Sequence, residues 1–415
     1  MKEERPQLLL FSAVPAASGS DGRLRLDDKF VSGMRMHAKY WDGRTVAVMR
    51  HQPGAALPFS SDYTPDELGF EVRLVGADEP LENAIEPGLG LVLASADMAD
   101  QLHLWRAARR EAMTVVYGIE YSLNTRLRIA ALDRARTWPR RIWSMGWNLR
   151  QERARRAALR EADAIQINGF PAAREYRDLN RDRLRYLDNR MLQSMFANSR
   201  DMSRRREYHR DGGPLRLIHS GRLEPMKGAH LLIPLAQQLT EIGVDFTLDI
   251  YGDGCAADGI RQQIAQKQLS DHVRLHDPVP FETGLVPISR TQADVFVSCH
   301  VQSDPSCTYI EAMGCGLPVV GFDNQMLSPL VRDSNGGWTV PMNRVPRLAE
   351  KIATLAGNRD LVIERAEMAL VYARRHDLDA EFGARMEHLA RVFEKTRPVT
   401  PISAAMRGRR VRARS

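Results

Sequence analysis

The chain predicts an α/β protein built from two Rossmann-like, doubly wound parallel-sheet domains. Three observations carry this expectation. Its 415 residues exceed one typical core and suit two domains of roughly 200 residues each. Short apolar strand candidates alternate with helical stretches from end to end, the pattern of right-handed crossovers in a parallel sheet. Between the halves, residues 198–214 (NSRDMSRRREYHRDGGP) have few apolar side chains and end in Gly-Gly-Pro, so they read as the linker. The expected boundaries are 1–205 for the first domain and 206–377 for the second. A helix at about 378–397 is expected to pack against either domain, back on the first or along the second, and a basic tail without fixed structure is expected over 398–415.

The elements follow in order. The opening MKEERPQLLLFSAVPAASG has a charged start, a short apolar run and small residues, as a secretion signal does. Glu3 and Glu4 oppose the positive start such a signal needs, and 8–14 is a short run, so a buried first strand is expected. LLLFSAV, TVAVMR, FEVRLV, LVLAS, TVVYGIE and DAIQING are the strands of the first half, with helices between them. In the second half come strand LRLIHSG, a helix over 228–242, strand DFTLDIYG, a helix near 260–267, strand HVRLHDPV and a helix near 281–290. Strand VFVSCH, the loop and helix in SDPSCTYIEAMGCG, strand PVVGF, a helix near 327–331 and strand WTVP complete it. A last amphipathic stretch runs over 380–394.

Hydrophobic residues at 43% and charged residues at 27% describe an ordinary globular protein. No apolar run approaches the roughly 20 residues that cross a bilayer. Cys255, Cys299, Cys307 and Cys315 lack paired CxxC spacing and read as reduced thiols of a cytoplasmic protein, with no metal site and no disulfide framework. The net charge of +7 is uneven: 126–160 holds eleven Arg against Asp133 and Glu152, a local +9 that exceeds the whole-chain figure. Trp138, Trp143 and Trp147 interleave with these arginines. Arg140, Arg141, Trp143, Trp147 and Arg150 are therefore candidates for contact with an anionic membrane surface on its inner, cytoplasmic face. The alternative is a solvated basic face over a core-packed Trp pair. A second run, 407–414, adds five Arg and no acid. No nucleic-acid-binding signature accompanies the charge, so no nucleic acid partner is expected.

In open α/β sheets ligands bind beyond the carboxyl ends of strands. Residues 303–321 run from a polar loop into a short helix whose first turn carries Glu311; a helix start attracts phosphate and a carboxylate there accepts two bonds from a diol. After LRLIHSG, Arg222 and Lys227 lie on one loop leading to a helix, where a guanidinium and an ammonium meet a diphosphate. YGDGCAA satisfies G-x-G-x-x-A, but in the second βα turn rather than the first, which argues against a dinucleotide fingerprint.

GRLEPMKGAHLLI, DIYGDG, HVRLHDPV and VFVSCHVQSDPSCTYIEAMGCGLPVVGFD together resemble the carboxyl-terminal half of the family 4, group 1 glycosyltransferases, which have the GT-B fold. The match in order and spacing covers roughly 215–345; the first half is similar only in its strand–helix rhythm and in ADAIQING, likened to the last strand of that domain. The resemblance implies a retaining, metal-independent transfer of a sugar from a nucleotide sugar to a glycan or lipid-linked acceptor, in bacterial surface polysaccharide synthesis. It implies no cofactor. It assigns Gly221, Arg222 and Lys227 to the donor diphosphate, Glu311 to the ribose hydroxyls, and the backbone N–H groups of Ser306, Cys307 and Thr308 to the phosphates.

Two departures stand against this pattern. The family's paired glutamates are separated by seven residues, and counting back from Glu311 gives Ser303, so Asp304 is the candidate sugar contact or merely a turn cap. In the first domain Gly19 and Gly22 are spread through a longer loop, and Glu120 stands where a His is usual. Glu120 is thus a candidate catalytic residue, touching the donor sugar or orienting an acceptor hydroxyl, or else a structural acid; Lys29 is a further cleft residue. The alternative function is a protein of the same shape that binds a nucleotide or glycan without turnover.

Overall fold

The computed structural model describes residues 6–57, 60–133 and 136–396; the tail 398–415 with its basic run, and Glu3 and Glu4, lie outside them. Among the described residues ten strands build the first half: β1 (Gln7–Phe11), β2 (Ala17–Ser18), β3 (Leu24–Asp27), β4 (Arg44–Arg50), β5 (Ser60–Tyr63), β6 (Glu71–Val75), β7 (Gly90–Ser95), β8 (Thr114–Ile119), β9 (Ala164–Asn168) and β10 (Arg183–Tyr186). Seven of them form a parallel sheet in the order β10-β9-β8-β7-β1-β4-β6. The apolar opening run is β1, inside the sheet between β7 and β4. Its Leu8 and Leu9 are fully buried, as a strand covered on both faces requires.

Helices α1 (Asp28–Tyr40), α2 (Pro65–Leu68), α3 (Leu104–Arg110), α4 (Leu123–Leu132), α5 (Trp138–Glu161) and α6 (Gly169–Tyr176) belong to this half. Asp27 caps α1 by accepting from the N–H of Phe30 at 2.8 Å, one of the orphan donors of a helix start. Three features differ from the sequence reading. β2, β3 and β5 make a separate antiparallel sheet, and the loop with Gly19 and Gly22 is the turn between β2 and β3, held by Ser20 N–H donating to Asp62 at 3.1 Å. DAIQING is β9, yet it is not the last strand, because β10 pairs with it at the sheet edge. The stretch expected as a linker winds into α7 (Ser199–Arg210), with a capping box between Asn198 and Asp201.

The second half has β11 (Leu215–Ser220), β12 (Phe246–Tyr251), β13 (Val273–His276), β14 (Val295–Ser298), β15 (Val319–Phe322) and β16 (Gly337–Val340), parallel in the order β13-β12-β11-β14-β15-β16. α8 (Leu232–Ile242), α9 (Ala257–Gln266), α10 (Val286–Gln292), α11 (Thr308–Gly314), α12 (Leu327–Ser334), α13 (Val345–Ala356) and α14 (Arg359–Arg374) cover it. The polar α7 packs against α10 and α14. Its Arg205 is 2% exposed and donates to the carbonyls of Ala293 at 3.0 Å, Arg290 at 3.0 Å and Cys315 at 3.3 Å.

α15 (Leu378–Thr396) then returns to the first sheet, against β8, β10 and α1. Phe382, Met386, Leu389, Val392 and Phe393 share a core with Leu8, Leu91 and Val116. Within the described residues the chain therefore passes between the halves twice, and the two passages bond to each other. Leu378 N–H donates to Met191 O at 2.8 Å, Asn189 Nδ2 to His376 O at 2.8 Å, and Leu187 N–H to Glu381 Oε2 at 2.9 Å.

Backbone contacts shape the turn after β11. Gly228 has φ +68°, and a Cβ there would lie 1.7 Å from the carbonyl oxygen of Cys299. Gly252 has φ +147° and a Cβ there would lie 2.0 Å from Gly221 O, so the glycine that opens the dinucleotide-like YGDG pattern is required by packing of one turn on the next. Gly228→Ala should lower stability by about 2 kcal/mol or more, since it adds backbone strain to a clash. Chemical denaturation checks this, against Gly259→Ala, where nothing lies within 4 Å and stability should hold.

Candidate functional site

The carboxyl ends of β8, β9, β11 and β14 meet between the two halves. Asp97, just past β7, accepts from the N–H groups of Glu120 at 2.7 Å and Tyr121 at 3.3 Å and pairs with Arg126. That carboxylate sets the loop on which Glu120 stands. Glu120 accepts from Asn168 Nδ2 at 3.4 Å, and Asn168 Oδ1 accepts from the N–H of Asp188 at 3.2 Å. Burial, followed by the carboxylates of Asp97 and Asp188, pushes the Glu120 carboxyl up to about 7. Asn168 and Lys29 oppose the shift. Lys29 itself sits 3.6 Å from Asp188.

On the second sheet Arg222 is exposed while Lys227 is 8% exposed. Lys227 pairs with Asp304, also 8% exposed. The residue expected on the sugar thus neutralises the residue expected on the diphosphate. Around this pair, Ser303 Oγ accepts from the N–H of Gln325 at 3.0 Å. His300 Nδ1 lies 3.8 Å from Asp304 Oδ1 and 3.1 Å from the hydroxyl of Tyr309. Burial, then Lys227 and His219, holds His300 well below the usual imidazole range. It is neutral at pH 7.

The loop corrects part of the phosphate expectation. Ser306 N–H already donates to Asp304 O at 2.8 Å, closing a turn, so this donor is spent. Cys307 is the N-cap residue of α11, and the first-turn N–H groups that follow have no carbonyl partner within the helix. Burial, followed by Glu311, pushes the Cys307 thiol up to about 12, so it is no nucleophile at neutral pH. Gly221, with φ +146°, joins β11 to Arg222 and lines the same edge.

Glu311 is 5% exposed and its carboxylate is gripped by a residue without any motif signal. Arg190 Nε donates to Oε1 at 2.8 Å and Nη2 to Oε2 at 2.9 Å. The same guanidinium lies 3.8 Å from the ring centroid of Phe281. The two halves also touch directly at the loop: Thr125 Oγ1 donates to Ser303 O at 3.3 Å and Arg128 Nη1 to Val301 O at 3.0 Å. Among the described residues no group of three His, Cys, Asp or Glu side chains is placed to hold a metal ion.

The membrane candidates lie apart, on the first turns of α5. Trp138 is 72% exposed, Trp143 68% and Trp147 38%, with Ile142 and Leu149 exposed beside them. A core-packed Trp pair is therefore ruled out. Arg140 and Arg150 are exposed and Arg141 half-buried among these rings, while burial on α5 begins only at Glu152, Arg155, Ala158 and Leu159. No helix of the described residues is long and apolar enough to cross a membrane.

Residues 202–375 match the family model described as glycosyl transferases group 1. A stretch of 149 residues is 33% identical to the putative colanic acid biosynthesis glycosyltransferase WcaL of Escherichia coli, covering 34% of this chain and 36% of that protein. The alpha-D-kanosaminyltransferase of Streptomyces kanamyceticus is 26% identical over 187 residues, 45% of this chain and 48% of the relative. The chain thus spans about a third to a half of the length of the curated relatives it matches. Over the whole chain the likeness is one of fold. Anabaena HepE in complex with UDP superposes with a TM-score of 0.65 at 17% identity, covering 93% of this chain and 99% of that one. Sucrose-phosphate synthase from Thermosynechococcus elongatus gives 0.65 at 15% identity, covering 95% and 100%.

The raised carboxyl makes a stability prediction with a definite sign. Glu120 binds its proton more tightly folded than unfolded, so its stabilising protonation is lost as pH rises from its ordinary value of 4.5 toward about 7. Above that, the ionised folded group costs up to about 3 kcal/mol. Glu120→Gln should match wild type in thermal unfolding near pH 4.5 and exceed it increasingly toward about pH 8. A constant difference across that range would refute the shift.

Proposed function

We propose that this chain, whose residues 202–375 match the glycosyl transferases group 1 model and whose fold is GT-B, transfers a sugar from a nucleotide sugar to a glycan or lipid-linked acceptor, with retention and without a metal ion, in bacterial surface polysaccharide synthesis. One observation carries the reading. Thr125 and Arg128, just after Glu120 in the first half, donate to the carbonyls of Ser303 and Val301 in the second, so the candidate acceptor-side acid and the donor-side loop that carries Asp304 share one cleft. Relatives named for colanic acid and amylovoran biosynthesis support the pathway class, and a neighbour solved with UDP supports the donor class.

In this mechanism the diphosphate lies on Arg222, Lys227 and the first-turn N–H groups of α11, and the ribose on Glu311. As the bond from the anomeric carbon to the phosphate oxygen breaks, the growing negative charge is met by fixed donors at the phosphate. The acceptor oxygen attacks from the face the phosphate leaves, and the departing phosphate takes its proton. Configuration is then kept. Glu120, with its carboxyl raised to about 7, holds the acceptor hydroxyl, and Asp304 contacts the sugar from the Lys227 side. Closure of the two halves excludes water. A peripheral position on the inner face of the membrane is supported by the Trp and Arg side chains of α5.

The Lys227 and Asp304 pairing also favours a second reading, a nucleotide- or glycan-binding protein without turnover, because the cation is already neutralised. Release of nucleoside diphosphate from a panel of nucleotide sugars, with a lipid-linked acceptor present, separates the two; binding without turnover under every pairing sinks the enzyme reading. The product's anomeric configuration by NMR, and unchanged rate in a chelator, test retention and metal independence.

The two phosphate cations should behave differently. Arg222→Ala should cut turnover roughly a hundredfold with unchanged unfolding, since it is exposed. Lys227→Ala should also lose about 3 kcal/mol of stability by stranding Asp304; adding Asp304→Asn should restore much of the stability and none of the activity. For the membrane contact, replacing Arg140, Arg141 and Arg150 by Gln should weaken binding to phosphatidylglycerol vesicles by roughly tenfold or more at low salt. Equal binding would leave the arginines as a solvated face.

A further inference from the structure

Arg190 holds, with one side chain, two surfaces of different chemistry. Its fork takes both oxygens of Glu311 at 2.8 and 2.9 Å, the acid that the proposed function assigns to ribose hydroxyls. Its flat face covers the ring of Phe281 at 3.8 Å. Phe281 and Glu311 line one cavity together with Ser220, Leu285 and Thr308. That cavity holds about 10 Å³, room for no more than about one water. The Arg190–Glu311 pair is buried on the Glu side, 6% exposed, and open on the Arg side, 45% exposed. Arg190 can therefore leave toward solvent while Glu311 cannot follow.

We propose that Arg190 is a gate that occupies the nucleoside subsite until a nucleotide displaces it, its guanidinium standing on Phe281 where a base would stack and on Glu311 where a ribose diol would donate. The inference rests on the donor-binding reading given above. A planar cation on an aromatic face and a fork on a carboxylate reproduce the two contacts a nucleoside makes. Nucleotide entry has to displace both at once, so the apparent affinity of the subsite is reduced by the stability of the closed gate while its intrinsic affinity is unchanged.

The position of Arg190 gives the gate a second control. Its neighbours are fixed in the passage between the two halves: Asn189 donates to His376 O at 2.8 Å and Met191 O accepts from Leu378 N–H at 2.8 Å. Asp188, two residues before it, reaches Lys29 of the first half at 3.6 Å. The gate hangs from the point where the halves join. Relative rotation of the halves therefore moves Arg190 against Glu311.

The test is titration calorimetry of UDP, and separately of ADP and GDP, into wild type, Arg190→Lys and Arg190→Ala, with circular dichroism as the check of fold. Arg190→Lys keeps the positive charge but loses the fork and the flat face. It should bind the preferred nucleotide roughly fivefold or more tightly than wild type, and Glu311→Ala should bind it weakly. Arg190→Ala, which also loses the charge, should still match or exceed wild type. Equal or weaker binding by Arg190→Lys, with nucleotide bound by wild type, overturns the gate and leaves the donor site standing. Absence of binding by every protein, Arg190→Ala included, overturns the gate and the donor-site reading together.

Discussion

The ion pair between Lys227 and Asp304 is the constraint on which the cleft depends. It ties the turn after β11 to the loop after β14, two strands that are neighbours in the sheet. Pulling an ammonium and a carboxylate out of water costs several kcal/mol for each, so such a pair persists only where the surrounding chain holds it in place. Gly228, pressed against Cys299 O, holds one side; Ser303, bonded to Gln325 N–H, holds the other. With Asp304 anchored, its carbonyl receives Ser306 N–H, Cys307 takes the N-cap position, and α11 starts in the direction that presents Glu311 to Arg190. An anion that comes to Lys227 does not meet a free cation. It must share Lys227 with Asp304 or draw Asp304 away.

The second half was legible in the sequence because its information is local. Each strand from β11 to β16 is a short apolar run bounded by Gly, Pro or Asp, and the helices between them have ordinary amphipathic spacing. The first half was legible in its main sheet for the same reason, except for the edge strand β10, whose RLRY sequence is no apolar run. Its small antiparallel sheet was not, since β2, β3 and β5 are two to four residues long with exposed charges, and nothing in hydropathy separates them from loop. The polar stretch before β11 was misread for a related cause. In α7 the buried residues include Asp201, Arg205 and His209 as well as Met202. A buried guanidinium satisfied by carbonyls looks, in a sequence, like an exposed one.

The candidate site divides along the same line. Arg222, Lys227, Glu311 and Glu120 announce themselves by following strands at the carboxyl edge of their sheets. What they are bonded to does not. Arg190 and Glu311 are 121 residues apart, and Asp97 reaches Glu120 across 23, so both partnerships arise only when topology brings distant segments together. The Trp residues of α5 show the opposite case. Their interleaving with Arg was visible, but core and surface readings were equally compatible with it until the first turns of the helix were seen to stand clear of the sheet.

The return of α15 to the first sheet has a mechanical meaning. A chain that crosses once between two bodies leaves them free to swing and to twist. Here it crosses twice, and the crossings are stitched side by side through Leu187, Asn189, Met191, His376 and Leu378. Twisting would shear those bonds, whereas bending about the line of the stitch strains them least. The stitch thus favours bending over twisting, like a book turning on its spine, and α15 serves as its binding.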